Sequence, residues 1–167
     1  MKASDFIAKK IASFTTHVFN GQGGSVVHIL DSLSKIKKIK IVPSQNEQGA
    51  SLAADAYTRV SGKIGVVVAT SGPGILNCLQ GMACSYYDSI PGLYISGAPI
   101  RRQLKKNLNL RQLGFQEMDV VSMVKNFTKY SKRILNPDEI EYEIDKCHNL
   151  AFSGRPGPCL LDIPDDV

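Results

Sequence analysis

One stretch of this sequence decides its fold class: Ile64-Gly65-Val66-Val67-Val68-Ala69-Thr70, followed at once by Ser71-Gly72-Pro73-Gly74. The first seven residues form a continuous apolar run, which is typical of a strand buried on both faces of a parallel sheet. The turn rich in glycine and proline then leads into a helical pattern over 75–87. A buried strand, a tight turn and a helix in that order predict one βαβ unit of a parallel sheet.

The same alternation of strand and helix extends in both directions from this stretch. The periodicity predicts strands over 18–20, 39–42, 64–70, 92–96, 127–131 and 159–163. It predicts helices over 4–14, 25–33, 46–60, 75–87, 118–124 and 137–152, with Ser4 capping the first and Gly62 ending the third. We therefore expect a single domain over residues 1–167 with an α/β fold. Its core is a three-layer, doubly wound sheet of about six mainly parallel strands with helices on both faces.

The composition is that of an ordinary soluble domain, with 43% hydrophobic and 21% charged residues in 167. The chain shows neither a secretory signal pattern at its start nor an apolar run of about 18 residues that could span a bilayer. The four cysteines form no Cys-x-x-Cys pair and lie in apolar surroundings, so we expect buried free thiols in a reducing compartment. These features predict a cytoplasmic protein with no membrane partner.

Positive charge is concentrated in two clusters that give the chain a net charge of +5. The clusters are Lys35, Lys37, Lys38 and Lys40, and Arg101, Arg102, Lys105, Lys106 and Arg111. Neither has interleaved aromatic residues or a nucleic-acid-binding motif, so we expect solvated faces or a loop that contacts another domain or an anion. The histidines lack metal-ligand spacing and no Gly-x-Ser-x-Gly elbow occurs, so no metal site and no hydrolytic site is predicted.

Four segments that are scattered along the chain follow predicted strands. They are residues 21–25, 46–50, 71–74 and the long irregular stretch 98–116. Ligands of open α/β sheets bind beyond the carboxyl ends of the strands, so we expect these segments to converge on one edge of the sheet.

Glu47 lies in one of these segments, Asn46-Glu47-Gln48-Gly49-Ala50, and has two interpretations. Ser44-Gln45-Asn46-Glu47 matches a capping box, in which Glu47 would only satisfy a backbone amide at the start of the helix. Alternatively, the carboxyl group lies in a partly apolar cleft and hydrogen-bonds a ligand nitrogen. A dinucleotide site is disfavoured, because the Gly-x-Gly-x-x-Gly spacing fails at both glycine-rich turns.

Taken together, these motifs resemble the N-terminal pyrimidine-binding domain of thiamine-diphosphate enzymes, and among them the large subunit of acetolactate synthase. The matching stretches are 19–24, 47–50 with 53–59, 61–63 with 65–68, 70–74 with Asn77, 88–91, 114–117 with Asp119, 128–129, and 153–158 with 162–164. They run in family order from about residue 5 to the last residue. Each match alone is weak evidence for the resemblance, but all of them in the same order are specific.

The resemblance implies roles for individual residues. It gives Glu47 the catalytic role of hydrogen-bonding the cofactor's aminopyrimidine, which favours the imino tautomer that takes the proton from the thiazolium carbon. The pyrimidine site would also include Gly23, Gly24, Pro73, Gly74 and Asn77. Gln116 matches a second catalytic position. Ser25, Phe115 and Lys129 match residues of the substrate channel, although Lys129 could equally be a solvated charge at a strand end.

The resemblance also implies what surrounds the chain. The family holds the cofactor's diphosphate and Mg²⁺ on a separate domain that carries Gly-Asp-Gly, which is absent here. We therefore expect thiamine diphosphate as cofactor, a 2-oxo acid as substrate, and a diphosphate-binding domain in the same polypeptide or in a partner subunit. A homodimer or larger assembly is expected, and the domain alone would be inactive.

Two residues depart from the acetolactate synthase pattern. Asn46 stands where a histidine is usual, and Gln22 stands where a proline is usual. A non-oxidative 2-oxo-acid decarboxylase and a non-catalytic binding or assembly module therefore stay open as alternatives.

Overall fold

The computed structural model describes residues 1–105 and 109–167, so Lys106 of the second basic cluster lies outside the described residues. Six parallel strands form one sheet in the order β2-β1-β3-β4-β6-β5. The strands are β1 (His17–Asn20), β2 (Lys40–Pro43), β3 (Gly65–Ala69), β4 (Gly92–Ala98), β5 (Tyr130–Arg133) and β6 (Pro158–Pro164). The predicted α/β class is confirmed, and every strand pair is parallel.

Helices connect the strands and cover the sheet. They are α1 (Ala3–Phe14), α2 (Val27–Ser34), α3 (Glu47–Ser61), α4 (Pro73–Asn77), α5 (Leu79–Tyr87), α6 (Val120–Val124) and α7 (Ile140–Phe152). Short 3₁₀ turns lie at Gly24–Val26, Arg101–Gln103, Lys125–Phe127 and Pro137–Glu139. No helix of the described residues is long and apolar enough to cross a membrane.

Alternate residues of each strand supply two separate cores. On one face, Val66 and Val68 of β3 pack with residues of α1, α2 and α7. On the other face, Val67 and Ala69 pack with residues of α3, α4, α5 and α6. Since all five residues of β3 are buried, the apolar run that predicted a two-sided strand is confirmed.

The sheet reverses its winding direction between β1 and β3. From β1 the chain crosses to β2 on one side, and from β3 it continues to β4 on the other side. The loop after β1 and the loop after β3 therefore run to opposite sides of the sheet, and a crevice opens between them at the carboxyl ends of these two strands. The fold therefore creates a ligand crevice between the segments that follow Asn20 and Ala69.

Helix α3 carries clear end signals. The Asn46 side chain accepts a 2.7 Å hydrogen bond from the Gln48 amide, and Gly62 ends the helix in the left-handed region at φ 68°. Gly65 lets α3 approach β3 closely, because a Cβ there would lie 2.8 Å from the Ala54 carbonyl carbon. Such an N-cap contributes about 1 kcal/mol to helix stability.

Several sequence expectations need correction. Lys2, not Ser4, is the N-cap of α1, and Ser4 accepts a hydrogen bond from Ser32 instead. Three thiols are buried as expected, but Cys84 is exposed because α5 turns that side of the helix outward. The strand expected over 127–131 begins only at Tyr130, because Lys125–Phe127 continues α6 as a 3₁₀ turn.

Candidate functional site

Glu47 is the first residue of α3 and follows the carboxyl end of β2. The capping-box interpretation is wrong in detail, because Asn46 and not Ser44 caps the helix. Glu47 does not reach back along the chain: its Oε2 accepts a 2.9 Å hydrogen bond from Nδ2 of Asn77 on α4. The capping role of Asn46 thus leaves the Glu47 carboxylate available to the crevice.

The second carboxylate oxygen of Glu47 lies beside two glycines. A Cβ built on Gly21 would lie 2.5 Å from Glu47 Cδ and would overlap the side chain, while one on Gly74 would lie 3.6 Å from Glu47 Oε1. Within residues 1–105 and 109–167, Oε1 accepts no hydrogen bond. The glycines therefore leave a narrow slot that the Glu47 carboxylate itself occupies, and its Oε1 is free to bind a ligand donor. The open space beside Glu47 is a cavity of about 490 Å³, which is also lined by Gln22, Pro43, Ser44 and Gln45.

Thr70, directly after β3, joins the two glycine-rich turns. A Cβ on Gly74 would lie 2.6 Å from Thr70 Cγ2, and a Cβ on Gly23 would also overlap the threonine side chain. Thr70 Oγ1 and Ser25 Oγ are hydrogen-bonded at 2.9 Å, and Ser25 Oγ accepts a 3.0 Å bond from the Ser71 amide. The segments after β1 and β3 are thereby locked together.

On the other side of Thr70, a cavity of about 300 Å³ opens toward the loop after β4. Its walls include Gly24, Ser25, Thr70, Phe115 and Gln116. Phe115 is 81% exposed, and Gln116 takes a left-handed backbone with φ 54°. The cavity combines hydroxyl and amide groups with an apolar wall of Ala98, Pro99 and Ile100 and with Asp165, which suits a small ligand that has both polar and apolar parts.

Cys78 lies beneath Glu47 and is chemically quiet. Its Sγ donates to the Glu47 carbonyl oxygen at 3.6 Å. Burial, with a contribution from the Glu47 charge, raises the pKa of the Cys78 thiol to about 12. The thiol therefore stays protonated near neutral pH and is not a nucleophile there.

The structure brings together most of the predicted site residues but not all of them. Glu47, Gly74 and Asn77 meet directly. Gly23 and Ser25 meet Thr70, and Gly24, Phe115 and Gln116 line the adjoining cavity. Pro73 is the exposed first residue of α4.

Lys129 is not part of this group. It precedes β5, so it lies at the amino end of a parallel strand, the opposite edge of the sheet from the crevice. There its ammonium donates to the carbonyl and hydroxyl oxygens of Ser153. Within this chain, the strand-end interpretation of Lys129 describes its position better than the substrate channel does.

Two contacts at the site escaped sequence reasoning. The sequence places Gly21 in a turn and Thr70 at the end of a strand and assigns neither an individual role, although both touch the site directly. A glycine directly after one strand and a threonine directly after the neighbouring strand were the available signals. They become meaningful only once β1 and β3 are known to be neighbours.

Comparisons with known proteins show the family of the chain. A model of the family described as "Thiamine pyrophosphate enzyme, N-terminal TPP binding domain" matches residues 1–123. The chain belongs to this family. The residues that form the Glu47 slot all fall within the matched range.

Similar proteins are acetolactate synthases. The chain is 40% identical over 154 residues to acetolactate synthase of Arthrospira platensis, covering 90% of this chain and 26% of that protein. It is 38% identical over 151 residues to the acetolactate synthase large subunit of Buchnera aphidicola subsp. Acyrthosiphon pisum (strain APS), covering 90% and 25%. It is 37% identical over 150 residues to the chloroplastic acetolactate synthase of Arabidopsis thaliana, covering 90% and 22%. The chain of this thiamine pyrophosphate enzyme domain thus spans about a quarter of the length of these relatives.

Proposed function

We propose that this chain is the pyrimidine-binding domain of a thiamine-diphosphate-dependent enzyme that acts on 2-oxo acids and resembles acetolactate synthase. The observation that carries the proposal is Glu47, held at Oε2 by Asn77 and seated in the slot beside Gly21 and Gly74, with Oε1 left for a ligand donor. The family match and the acetolactate synthase relatives support it.

In this proposal the flat aminopyrimidine of the cofactor lies in the open cavity beside Glu47. A Cβ on Gly21 would collide with Glu47 and one on Gly74 would collide with Thr70, so the two glycines keep these side chains close to the backbone at the edge of the cavity. Among the described residues, no group of three or more His, Cys, Asp or Glu could hold a metal ion. We further propose that Mg²⁺ and the diphosphate are held by another domain, in the same polypeptide or in a partner subunit, a proposal supported by relatives of which this chain spans only about a quarter.

When bound, thiamine diphosphate supplies the electron sink for loss of carbon dioxide from the 2-oxo acid. In our proposal Glu47 holds a proton between Oε1 and a pyrimidine nitrogen. Asn77 prevents the carboxylate from rotating, because its 2.9 Å bond fixes the other oxygen. Gln116 and Phe115 line the cavity beside Thr70, where they would contact the substrate.

The substitution Glu47→Gln in the full-length enzyme tests the proposal. It keeps the size of the side chain and removes its ability to exchange a proton. Hydrogen–deuterium exchange at the cofactor's thiazolium carbon, followed by NMR, should slow by about 10² or more. Glu141→Gln, at an exposed site on α7, is the matched control and should leave exchange unchanged.

Two results would contradict the proposal. One is an exchange rate of Glu47→Gln equal to that of the control. The other is the absence of thiamine diphosphate binding by the full-length enzyme in calorimetry with Mg²⁺ present, which would favour a non-catalytic module. We further propose a homodimer or larger assembly, for which a clean monomer in sedimentation would be the contrary result.

A further inference from the structure

Gly72 and Gln116 both have left-handed backbones, at φ 63° and φ 54°. They lie in different loops: Gly72 follows β3, whereas Gln116 belongs to the segment between β4 and α6. Apart from Ser89, Gln116 is the only non-glycine residue among those described that has a positive φ. Such a conformation costs a non-glycine residue energy, so tertiary contacts must hold it in place.

The two backbones are in direct contact. A Cβ built on Gly72 would lie 2.5 Å from the Gln116 carbonyl oxygen and 2.9 Å from Gln116 Cβ. Gly62 provides a partial comparison, because its φ of 68° is similar but a Cβ there would meet no atom within 4 Å. The two glycines differ in ψ, which is 0° at Gly62 and −123° at Gly72, so the backbone cost of an alanine is higher at Gly72. Gly62 therefore requires glycine for its backbone angle alone, whereas Gly72 requires it for the close approach of Gln116 as well.

The segment around Gln116 is anchored on its far side by other groups. The Glu117 amide donates to the Gly114 carbonyl at 3.1 Å, which closes a tight turn. Nη2 of Arg133 donates to the Met118 carbonyl at 2.8 Å, and Arg133 is itself paired with buried Asp162 at 2.5 Å. Gly72 supplies the contact on the side that faces the site.

We propose that the contact between Gly72 and Gln116 sets the distance between the loop that carries Gly74 and the segment that carries Phe115 and Gln116. It makes Gly72 a positioning residue for the substrate side of the site. This inference rests on the proposed function. Because Gln116 lines the cavity together with Ser71, the neighbour of Gly72, a displaced Gln116 would widen the cavity without touching Glu47.

The test compares Gly72→Ala with Gly62→Ala in the full-length enzyme, with pyruvate as the probe substrate. Both variants place an alanine at a positive φ, but only Gly72→Ala adds a collision with Gln116. Because the backbone cost is also higher at Gly72, the collision is isolated by comparing Gly72→Ala in the wild-type and Gln116→Gly backgrounds. We expect Gly72→Ala to raise KM for pyruvate about tenfold, because disrupting a contact between neighbouring residues typically changes an affinity by on the order of a factor of ten. Exchange at the thiazolium carbon should change much less, and Gly62→Ala should leave KM unchanged.

Gln116→Gly completes a double-mutant cycle, because it removes one colliding atom and lets the carbonyl turn away. We expect Gly72→Ala to lower the unfolding temperature more than Gly62→Ala does, and this excess to shrink in the Gln116→Gly background. If Gly72→Ala does not fold, recovery of folding by the added Gln116→Gly change supports the contact, and failure to recover overturns it. Equal KM and equal unfolding temperatures for the two alanine variants also overturn it.

The cycle separates this inference from the proposed function. The unfolding temperatures report on the contact even in an enzyme that turns over no pyruvate. If Glu47→Gln exchanges at the rate of its control, the proposed function is contradicted. If the shifts in unfolding temperature caused by Gly72→Ala and Gln116→Gly simply add in the double variant, the positioning contact is contradicted.

Discussion

The substitution Gly21→Ala should displace Glu47 from its slot without unfolding the domain. The Gly21 amide donates to the Val68 carbonyl at 3.2 Å, so its backbone is held at the end of the sheet. A Cβ at this position would overlap Glu47 Cγ and lie 2.5 Å from Cδ. Because the backbone is held and Glu47 is only half-buried, the glutamate side chain must change rotamer.

The size of the effect follows from the displacement. Carbon atoms pack at about 3.5–4.0 Å, so Glu47 Cδ must move by about 1 Å or more. A displacement of about 1 Å in a reacting group costs about 10² in rate. We therefore expect exchange at the thiazolium carbon in Gly21→Ala to fall about a hundredfold, while the unfolding temperature changes little.

The assay is exchange of the bound cofactor in the full-length enzyme, measured for Gly21→Ala, Glu47→Gln and the double variant. If Gly21→Ala acts through Glu47, it should have no further effect once Glu47 is already changed to glutamine. The reasoning is refuted if Gly21→Ala exchanges at the wild-type rate. It is refuted equally if the two changes multiply in the double variant, since Gly21 would then act independently of Glu47.

Two further predictions concern Asn77, the partner of Glu47, and the buried carboxylate of Glu143 on α7. Asn77→Ala should slow cofactor exchange about tenfold by freeing the Glu47 carboxylate to rotate, and Asn77→Asp should slow it more because two carboxylates would then face each other. On α7, burial opposes ionisation of Glu143, but hydrogen bonds from Lys132 and Tyr130 lower its pKa below 4.5. A lowered folded-state pKa gives stability that is present above pH 4.5 and is lost as the pH falls through the folded value. Denaturant titrations from neutral to acidic pH should therefore show a smaller loss of unfolding free energy for Glu143→Gln than for wild type.

The architecture was predictable because local signals agreed with one another. Three signals favour a parallel sheet: the apolar run at 64–70, the helix breaker Gly62, and the alternation of strand-like and helix-like hydrophobic periodicity. Each of them corresponds to an observed element. The errors lie at element ends, where tertiary contacts compete with local preference. Ser4 is a good cap by residue type, yet its hydroxyl accepts from Ser32 on the neighbouring helix instead.

The site was only partly predictable, since it depends on which strands are neighbours. The order β2-β1-β3 brings both Gly21 and Gly74 next to Glu47, although they are more than fifty residues apart in sequence. The resemblance places Asn77 at the pyrimidine site, and the structure adds its hydrogen bond to Glu47, which no motif predicts. Lys129 matched a motif equally well and lies at the opposite edge, because position along a strand decides which edge a residue occupies.

The two interpretations of Glu47, helix cap and ligand-binding carboxylate, compete only when Ser44 is the cap. With Asn46 as the cap, the first turn of α3 is satisfied by a neighbouring side chain, and Glu47 is released from that task. Its two oxygens then divide their roles, since Oε2 is held by Asn77 and Oε1 is left for a ligand donor. The asparagine that departs from the acetolactate synthase pattern is therefore also the residue that leaves the glutamate free. A histidine at this position has no side-chain oxygen to accept a hydrogen bond from the Gln48 amide, so the first turn would need a different cap.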